Sequence, residues 1–250
     1  MSQEKHDSGG LSTARIETLV DGVFAIVMTL LIFNIKVPEL HGTFEEIKSK
    51  LGSALQDLWP SYFSYVLSFL VVGIYWVGQH NQFHFIKRSD RWLIWINILF
   101  LMSVSVIPFS AALLGAYFDQ QLTMIVYGIN LIVTGLILYL HWWYVVSHRL
   151  VDSKVTPEVV RTATRRILTP PVIYLIAILA SFLSTWISVG LYVVAPILYI
   201  LPSRVDRHWH LGFRSPAFQA EKEPEHSLAP PPSQIVELPK EVVTAETKSE

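Results

Sequence analysis

Long apolar runs limit the folds open to this chain more than any other feature of its sequence. They lie at about residues 20–35, 58–79, 92–115, 122–147, 170–187 and 189–202. A helix needs about 20 mainly apolar residues to cross the hydrocarbon core of a bilayer. Only 16% of the residues are charged, against about 25% in an average soluble domain. The sequence therefore predicts an all-α membrane protein.

The number of spans depends on how the last two runs are divided. The three middle runs are each long enough to cross alone, and the first gains length from the helical turn before it. Residues 170–202 cover about 33 positions, too many for one crossing at about 1.5 Å per residue. We therefore predict a hairpin that turns at Ser188-Val189-Gly190, with the last helix continuing towards Trp209. This gives six spans, and the alternative at this point is five, with residues 170–202 partly interfacial.

The positive charges support six spans and predict an orientation. Of the 19 Lys and Arg residues, all but Lys36, Lys48 and Lys50 fall in the N-terminal segment, in alternate loops or in the C-terminal tail. Cytoplasmic loops carry such an excess of Lys and Arg. The first 14 residues are polar and lack the apolar segment of a cleaved signal peptide. We therefore expect a multi-pass integral membrane protein with both termini in the cytoplasm.

Composition divides the chain into three parts. Residues 1–14 form a polar cytoplasmic segment, and residues 15–209 hold the six predicted helices as one transmembrane domain without an evident internal repeat. Beyond about Pro216 the chain is rich in Pro and Glu and poor in aromatic residues. Such a composition cannot bury enough apolar surface to fold. We therefore expect residues 210–250 to be a disordered cytoplasmic tail.

Histidines near the ends of the predicted spans could in principle bind a metal. His80 and His84 are four residues apart and share one face of a helix. A metal site needs a third or fourth ligand, and the sequence has neither an HExxH motif nor any cysteine. We therefore expect no metal and no cofactor, and we interpret these two residues, together with His141 and His148, as interfacial histidines.

The third run carries polar residues and a proline in an otherwise apolar helix. Asn97 is an amide of the kind that bonds to a neighbouring helix in a membrane protein. Pro108 is expected to bend the helix and to free a carbonyl group that Ser105 or a neighbouring group satisfies. These features have a structural explanation and do not by themselves indicate a function.

Asp21 lies where the first apolar run begins, and a carboxylate there is unfavourable unless something pairs with it. Arg15 lies six residues earlier, which is not the spacing of an intrahelical pair. Asp21 therefore pairs with another helix or with solvent, and the simple alternative is stabilisation by the helix dipole. The apolar runs hold no other carboxylate, and the sequence contains no nucleophile elbow, P-loop or TVGYG filter. We expect no enzyme, no catalytic residue and no nucleic-acid partner.

Three segments together resemble one known family. Arg15 and Asp21 have the spacing of its RxxxFSD signature, with Leu19-Val20 in place of Phe-Ser, and GVFAIVMTLLIFNIKVPE follows. The segments SFLVVGIYWVGQHNQF and WINILFLMSVSVIPFSAALLG in the second and third spans are also similar to its patterns. The chain thus resembles the endolysosomal potassium channel family and its bacterial homologues, most clearly over residues 15–120.

The resemblance implies a potassium-permeable cation channel without a TVGYG filter. It implies a homotetramer of six-helix subunits in a bacterial cell membrane, with potassium ions and the lipid bilayer as partners and the first helices around the pore. The implied pore residues are Ile26 at a hydrophobic constriction, Leu30 and Phe33 beside it, and Thr29 for potassium preference. The implied interhelical polar network consists of Arg15, Asp21, Trp76, His80 and Asn97.

Two other functions compete with a channel. A secondary transporter or proton-permeable pathway would use Asp21 and His80, and it would be expected to carry ionisable groups deeper in the membrane. A membrane scaffold would act through the acidic tail, so that deletion of residues 216–250 would abolish its role and leave the helices intact. Ion flux through the purified protein distinguishes a channel from both alternatives.

Overall fold

A computed structural model describes residues 13–152 and 155–200 of the protein. Most of the predicted N-terminal segment, the predicted continuation of the last helix towards Trp209, and the predicted tail 210–250 lie outside these residues. In the described part, eight α-helices follow one another: α1 (Thr13–Leu30), α2 (Phe44–Gln56), α3 (Trp59–Phe85), α4 (Arg91–Ser105), α5 (Ile107–Ala116), α6 (Gln121–Ser147), α7 (Pro157–Ala180) and α8 (Thr185–Ile200). A 3-10 turn, Leu31–Asn34, directly extends α1.

The all-α prediction is confirmed, since no β-strand occurs within residues 13–152 and 155–200. Five segments there are long and apolar enough to cross a membrane: Thr13–Asn34, Phe44–Phe85, Arg91–Ala116, Gln121–Ser147 and Pro157–Ala180. The last helix, α8, is also apolar but has only 16 residues in this range. The protein is therefore an integral membrane protein with five to six apolar helices in its described part.

The last hairpin turns earlier than the sequence predicts. The predicted turn at Ser188-Val189-Gly190 is wrong, because these residues lie inside α8. The chain instead turns at residues 181–184, where the hydroxyl of Ser181 donates to the carbonyl oxygen of Ile178 at 2.6 Å. Helix α7 also begins at Pro157, well before residue 170, where its apolar run begins. A search for apolar residues does not detect this part of the helix, because it carries Glu158, Arg161, Arg165 and Arg166.

The third predicted span is interrupted at Val106, two residues before Pro108. Helix α4 ends at Ser105 and α5 begins at Ile107, with Pro108 in its first turn. Proline lacks a backbone N–H and cannot continue the hydrogen bonding of the preceding helix. The hydroxyl of Ser105 donates to the carbonyl oxygen of Leu101 at 2.8 Å.

Asn130 of α6 braces this break from the side. In the amide orientation that satisfies its neighbours, its oxygen accepts hydrogen bonds from the hydroxyl of Ser110 at 2.9 Å and from the backbone N–H of Ile107 at 3.2 Å. Its amide nitrogen donates to the carbonyl oxygen of Ser103 at 3.2 Å. Because the amide binds both sides of the break, the break is a fixed junction between α4 and α5.

Helix α6 forms the centre of the bundle and packs against α4, α5 and α7. Two glycines allow its neighbours to approach closely. A Cβ atom on Gly128 would overlap the hydroxyl of Tyr192, and one on Gly135 would overlap the ring of Pro171. Small residues at such positions are typical of helix packing in membranes.

His141, interpreted from the sequence as an interfacial residue, belongs to a buried hydrogen-bond network. Its side chain is fully buried in the bundle, where Nδ1 lies 2.7 Å from Oε1 of Gln82. The amide nitrogen of Gln82 in turn donates to the carbonyl oxygen of Leu138 at 3.2 Å. A polar side chain can be buried when a neighbouring helix supplies its hydrogen-bond partner. That partner lies 59 residues away in the chain and gives no local sequence signal.

Candidate functional site

Helix α1 has one face packed against its own subunit. This buried face consists of Ile16, Val20, Phe24, Val27 and Leu31. The residues recur every three or four positions, as expected for one side of a helix, and α1 packs against α3, α4 and α5. The ring of Phe24 lies 6.0 Å from the ring of Phe100 in α4, measured between centroids. The core of the subunit therefore determines how α1 is rotated about its own axis.

The opposite face of α1 is an exposed seam, which we define as Arg15, Leu19, Gly22, Ile26 and Thr29. The intervals between these residues alternate between four and three, the spacing of helices that pack side by side along a common axis. Ile26 has 60% of its surface exposed. No element in the described part of the chain covers this seam. The chain thus presents on its outside a helix face with the spacing of a helix-packing surface.

Leu30 and Phe33 continue the exposed surface beyond the seam. Leu30 is the last residue of α1 and is exposed, and Phe33 in the following 3-10 turn is 74% exposed. Together with Ile26, these are the apolar residues that the family resemblance places at a pore. The structure places all three on the outside of the subunit, away from its core.

Thr29 is the hydroxyl-bearing residue of the seam. Its hydroxyl is exposed and donates to the carbonyl oxygen of Ile26 at 2.8 Å. Because the proton points towards the backbone, the oxygen lone pairs are directed away from the helix. In this state the hydroxyl is a hydrogen-bond acceptor, which suits contact with a cation.

Two side chains of α1 meet two of α3 in a polar ladder, which we define as Glu17, Asp21, Trp76 and His80. The indole N–H of Trp76 donates to Oδ1 of Asp21 at 2.8 Å. Nδ1 of His80 lies 3.1 Å from Oε1 of Glu17, and the Trp76 and His80 rings stack with their centroids 5.6 Å apart. Each helix contributes residues four apart, so the two contacts lie one turn apart on neighbouring faces. The ladder fixes the register of α1 against α3.

The other two members of the predicted polar network lie apart from the ladder. Arg15 is exposed, and its side chain forms no ion pair or hydrogen bond with another residue of the described ranges. Asn97 is 1% exposed, and its amide oxygen accepts a hydrogen bond from the amide of Gln79 at 2.6 Å. The structure therefore brings together Asp21, Trp76 and His80, and pairs Asn97 with a different residue.

Sequence reasoning did not single out Glu17 or Gln79. A signal existed for Glu17, because it precedes Asp21 by four residues just as Trp76 precedes His80. Two such pairs on adjacent antiparallel helices can face one another. No comparable pattern marks Gln79, whose partner Asn97 lies on the next helix.

A hydrogen bond between uncharged groups holds the end of α1. The amide nitrogen of Asn34, at the end of the 3-10 turn, donates to the carbonyl oxygen of Pro108 at 3.1 Å. This carbonyl belongs to the first turn of α5, beside the junction that Asn130 braces. Both ends of α1 are thus fixed, one through the ladder and the other through α5.

No group of three or more His, Cys, Asp or Glu side chains that could hold a metal ion occurs in the part of the chain that the structure describes. The site offers one exposed helix face with apolar, hydroxyl and guanidinium side chains. Such a face can contact another helix, water or a passing ion.

The amino-acid sequence of this chain is similar to those of known proteins. The model of the family described as endosomal/lysosomal potassium channel TMEM175 matches residues 15–108, which include the seam and the ladder. A potassium channel of Chamaesiphon minutus is 35% identical over 195 residues, covering 76% of this chain and 95% of that protein. A potassium channel of Streptomyces collinus is 39% identical over 158 residues, covering 61% of this chain and 74% of that protein.

The fold agrees with the sequence similarity. The crystal structure of a lysosomal potassium-selective channel TMEM175 homolog from Chamaesiphon minutus matches with a TM-score of 0.66 and 33% sequence identity, covering 76% of this chain and 96% of that chain. The similarity thus extends over nearly the whole of that relative, well beyond the first helix. This chain belongs to the family of the endosomal/lysosomal potassium channel TMEM175, a family of ion channels.

Proposed function

We propose that this protein is a potassium-permeable channel of a bacterial cell membrane, with the exposed seam of α1 as the wall of its pore. Two relatives are potassium channels, and the chain covers 95% and 74% of their lengths. The seam carries the proposal. A guanidinium, a hydroxyl and a glycine in one straight row suit a boundary with another helix or with water, whereas a lipid boundary favours apolar side chains.

The proposal includes a homotetramer, because one α1 cannot enclose a path for water. Four copies around a four-fold axis would bring their seams together at the centre. Rotational symmetry would then place each residue of the seam in a ring of four identical side chains. The alternating spacing of the seam favours this packing, since it keeps one side of each helix facing the axis.

In this assembly Ile26 forms the constriction. A ring of four such side chains narrows the path and excludes water, and a dry apolar constriction stops ions without a physical plug. Leu30 and Phe33 extend the apolar wall on one side of it. Opening requires only that the ring widens enough for water to enter.

Thr29 supplies the potassium preference. Four hydroxyl oxygens, each with its proton directed to the Ile26 carbonyl, replace part of the water shell of an entering ion. A ring of hydroxyl groups is a weaker filter than the stacked carbonyl rings of a TVGYG loop. We therefore expect a modest preference for potassium over sodium.

The polar ladder holds the pore helix in place. Asp21 and Glu17 bind Trp76 and His80 of α3, and the Asn97–Gln79 pair holds α3 to α4. With both termini in the cytoplasm, Arg15 and the ladder lie at the cytoplasmic mouth of the pore. Residues 15–209 then form the channel domain, and the tail 210–250 is dispensable for conduction.

Ion flux into liposomes that contain only the purified protein tests the function. We expect potassium flux to exceed sodium flux, with protons compared in the same vesicles. Ile26→Trp should abolish flux, because four indoles fill the constriction. Ile129→Trp is the matched control, since Ile129 is an exposed isoleucine on α6, and its replacement should leave flux unchanged. Equal effects of the two substitutions would contradict the assignment of the pore to α1.

The same liposomes separate the competing functions. The exposed pair of Glu17 and His80 is the observation that favours a proton pathway, and proton flux without potassium flux would support it. Saturable flux coupled to a second ion would instead indicate a transporter. A protein that conducts nothing, but loses its role when residues 216–250 are deleted, would be a scaffold.

A further inference from the structure

Helix α2 stands apart from the bundle. Every one of its residues, Phe44–Gln56, is exposed or half-buried, and Phe44 is 76% exposed. The helix is nevertheless well formed, because Thr43 and Glu46 make a capping box in which the Thr43 backbone N–H donates to Oε2 of Glu46 at 2.9 Å. A stable helix with large exposed apolar side chains needs a surface to cover them.

This surface is not the interior of the membrane. Helix α3 has 27 residues, about 40 Å at 1.5 Å per residue, which already exceeds the roughly 30 Å hydrocarbon core. Helix α2 carries four charged side chains, Glu45, Glu46, Lys48 and Lys50, which are unfavourable in hydrocarbon. It therefore lies outside the hydrocarbon core, on the side of the membrane where α3 begins.

The apolar residues of α2 form one compact face. At about 100° per residue, these side chains fall within an arc of about 100°: Phe44, Ile47, Leu51, Ala54 and Leu55. Gly52, Ser49, Ser53 and Gln56 lie outside this arc. The helix is therefore strongly amphipathic.

The basic and acidic side chains of α2 lie at different positions around the helix. Lys48 lies about 20° beyond one edge of the apolar face and Lys50 about 40° beyond the other, at about 100° per residue. Glu45 and Glu46 lie on the far, polar side. A lysine at such an edge can lay its aliphatic stem along the apolar surface and extend its ammonium group to a lipid phosphate. This arrangement fits a lipid headgroup layer, where phosphates are present along both edges of an embedded helix.

The junction of α2 with α3 lies among aromatic side chains typical of the membrane boundary. Trp59, the first residue of α3, stacks on Trp186 at the start of α8 with centroids 6.1 Å apart. It also packs edge-to-face with Phe118, just after α5, with the ring centroids 4.7 Å apart. Only residues 57 and 58 separate α2 from Trp59, so the Cα atoms of Gln56 and Trp59 are at most about 11 Å apart along an extended chain. The end of α2 therefore lies close to the lipid headgroups.

We propose that α2 is a membrane-surface helix whose apolar face is embedded among the headgroups of the bilayer that α3 crosses. Lys48 and Lys50 contact lipid phosphates from the two edges of this face. The helix anchors the connection between α1 and α3 to the lipid. This inference requires only that the protein is inserted in a membrane, and it stands or falls independently of ion selectivity.

Site-directed spin labelling of the full-length protein tests this placement, and the absence of native cysteine makes single labels possible. Nitroxides are placed at Leu51 and Leu55 on the apolar face and at Ser49 and Ser53 on the polar face, in phosphatidylcholine vesicles. We expect the first pair to collide more with oxygen than with a water-soluble nickel chelate, at a depth of about 5–10 Å. The second pair should show the opposite preference.

Two results would overturn the proposal. Free access of the nickel chelate to all four labels would place the whole helix in water. Immobile labels at Leu51 and Leu55, shielded from both reagents, would mean that a protein surface covers the face, such as a second copy of the chain.

A charge exchange tests the contribution of the two lysines. Lys48→Glu combined with Lys50→Glu should move a label at Leu55 towards the water, because two ammonium–phosphate contacts become repulsive. Ser49→Glu combined with Ser53→Glu adds the same number of carboxylates to the polar face and should leave the label in place. Equal shifts in the two double variants would overturn the assignment of Lys48 and Lys50 to the phosphates.

Discussion

The two faces of α1 differ in what surrounds them, although their residues alternate along the same stretch of chain. Val27 is 2% exposed and packs in the core of the subunit, whereas Ile26 beside it is 60% exposed. Both are β-branched apolar residues of similar size. The two residues therefore differ in exposure because their side chains leave the helix axis in different directions, not because their chemistry differs. The comparison teaches that the buried face positions the helix and leaves the exposed face free for contacts outside the subunit.

The first prediction concerns contacts between subunits and has the largest expected effect. Ile26→Cys should form disulfide-linked subunits on mild oxidation, because the proposed tetramer brings four copies of this residue together. Val27→Cys should give only monomers on a non-reducing gel, since its side chain is enclosed within its own subunit. The sequence has no other cysteine to compete. Crosslinks at position 27 but not at 26 would reverse the two faces.

The second prediction replaces the same two residues with asparagine. Ile26→Asn should produce a continuous leak with a stable fold, because a ring of amides keeps the constriction wet. Val27→Asn should instead lower the melting temperature of the purified protein, since an unpaired buried amide typically costs about 1–3 kcal/mol. Liposome flux and thermal unfolding measure the two effects. A leak from Val27→Asn in a fully stable protein would show that the buried face also borders the pore.

The third prediction divides the exposed face into constriction and filter. Thr29→Val keeps the shape of the side chain and removes the hydroxyl whose lone pairs are directed away from the helix. The preference for potassium over sodium should fall towards equality, measured as a shift in reversal potential under opposed gradients. Thr169→Val is the matched control, because the Thr169 hydroxyl of α7 is exposed and makes the same kind of bond to its own helix. A selectivity that survives Thr29→Val but is lost in Ile26→Asn would assign the filter to Ile26.

The fourth and smallest prediction concerns the ladder at the side of α1. Trp76→Phe removes the N–H donor to Asp21 and keeps an aromatic ring, whereas Asp21→Asn removes the charge and keeps an oxygen acceptor. An exposed hydrogen bond contributes about 1 kcal/mol or less, which is at most about a five-fold change in an equilibrium. We expect Trp76→Phe to shift channel opening by a few-fold and Asp21→Asn to shift it less. A larger effect of Asp21→Asn, confined to cation selectivity, would make Asp21 an ion-contacting residue.

The sequence was a good guide to the spans and a poorer guide to their ends. Apolar runs located the helices because the hydrocarbon core demands apolar side chains over a fixed length. They misplaced the last hairpin, because Ser188 and Gly190 have the composition of a turn but are accommodated inside α8. They also missed α2, whose apolar residues are spaced along one face and never form a run.

The side-chain partners were harder to predict than the helices. The family resemblance drew attention to Asp21, Trp76 and His80, which the structure brings together. It did not predict that Trp76 rather than Arg15 binds Asp21, because this depends on the rotation of α1 against α3. That rotation is determined by the buried face of α1, and each of its contacts joins residues that are distant in the chain.

The change of winding at the end of α1 has a consequence for the shape of the proposed pore. An α-helix advances by about 100° per residue, whereas a 3-10 turn advances by about 120° and rises about 2.0 Å. Phe33 therefore stands directly above Leu30, about 60° from the position that a continuing α-helix would give it in line with Leu19 and Ile26. In the proposed tetramer the seam would face the axis as far as Thr29, and the side chains of the 3-10 turn would point away from that column. The lining of the proposed pore would thus change direction at this end, where the hydrogen bond of Asn34 to the Pro108 carbonyl holds each copy of the turn to its own α5.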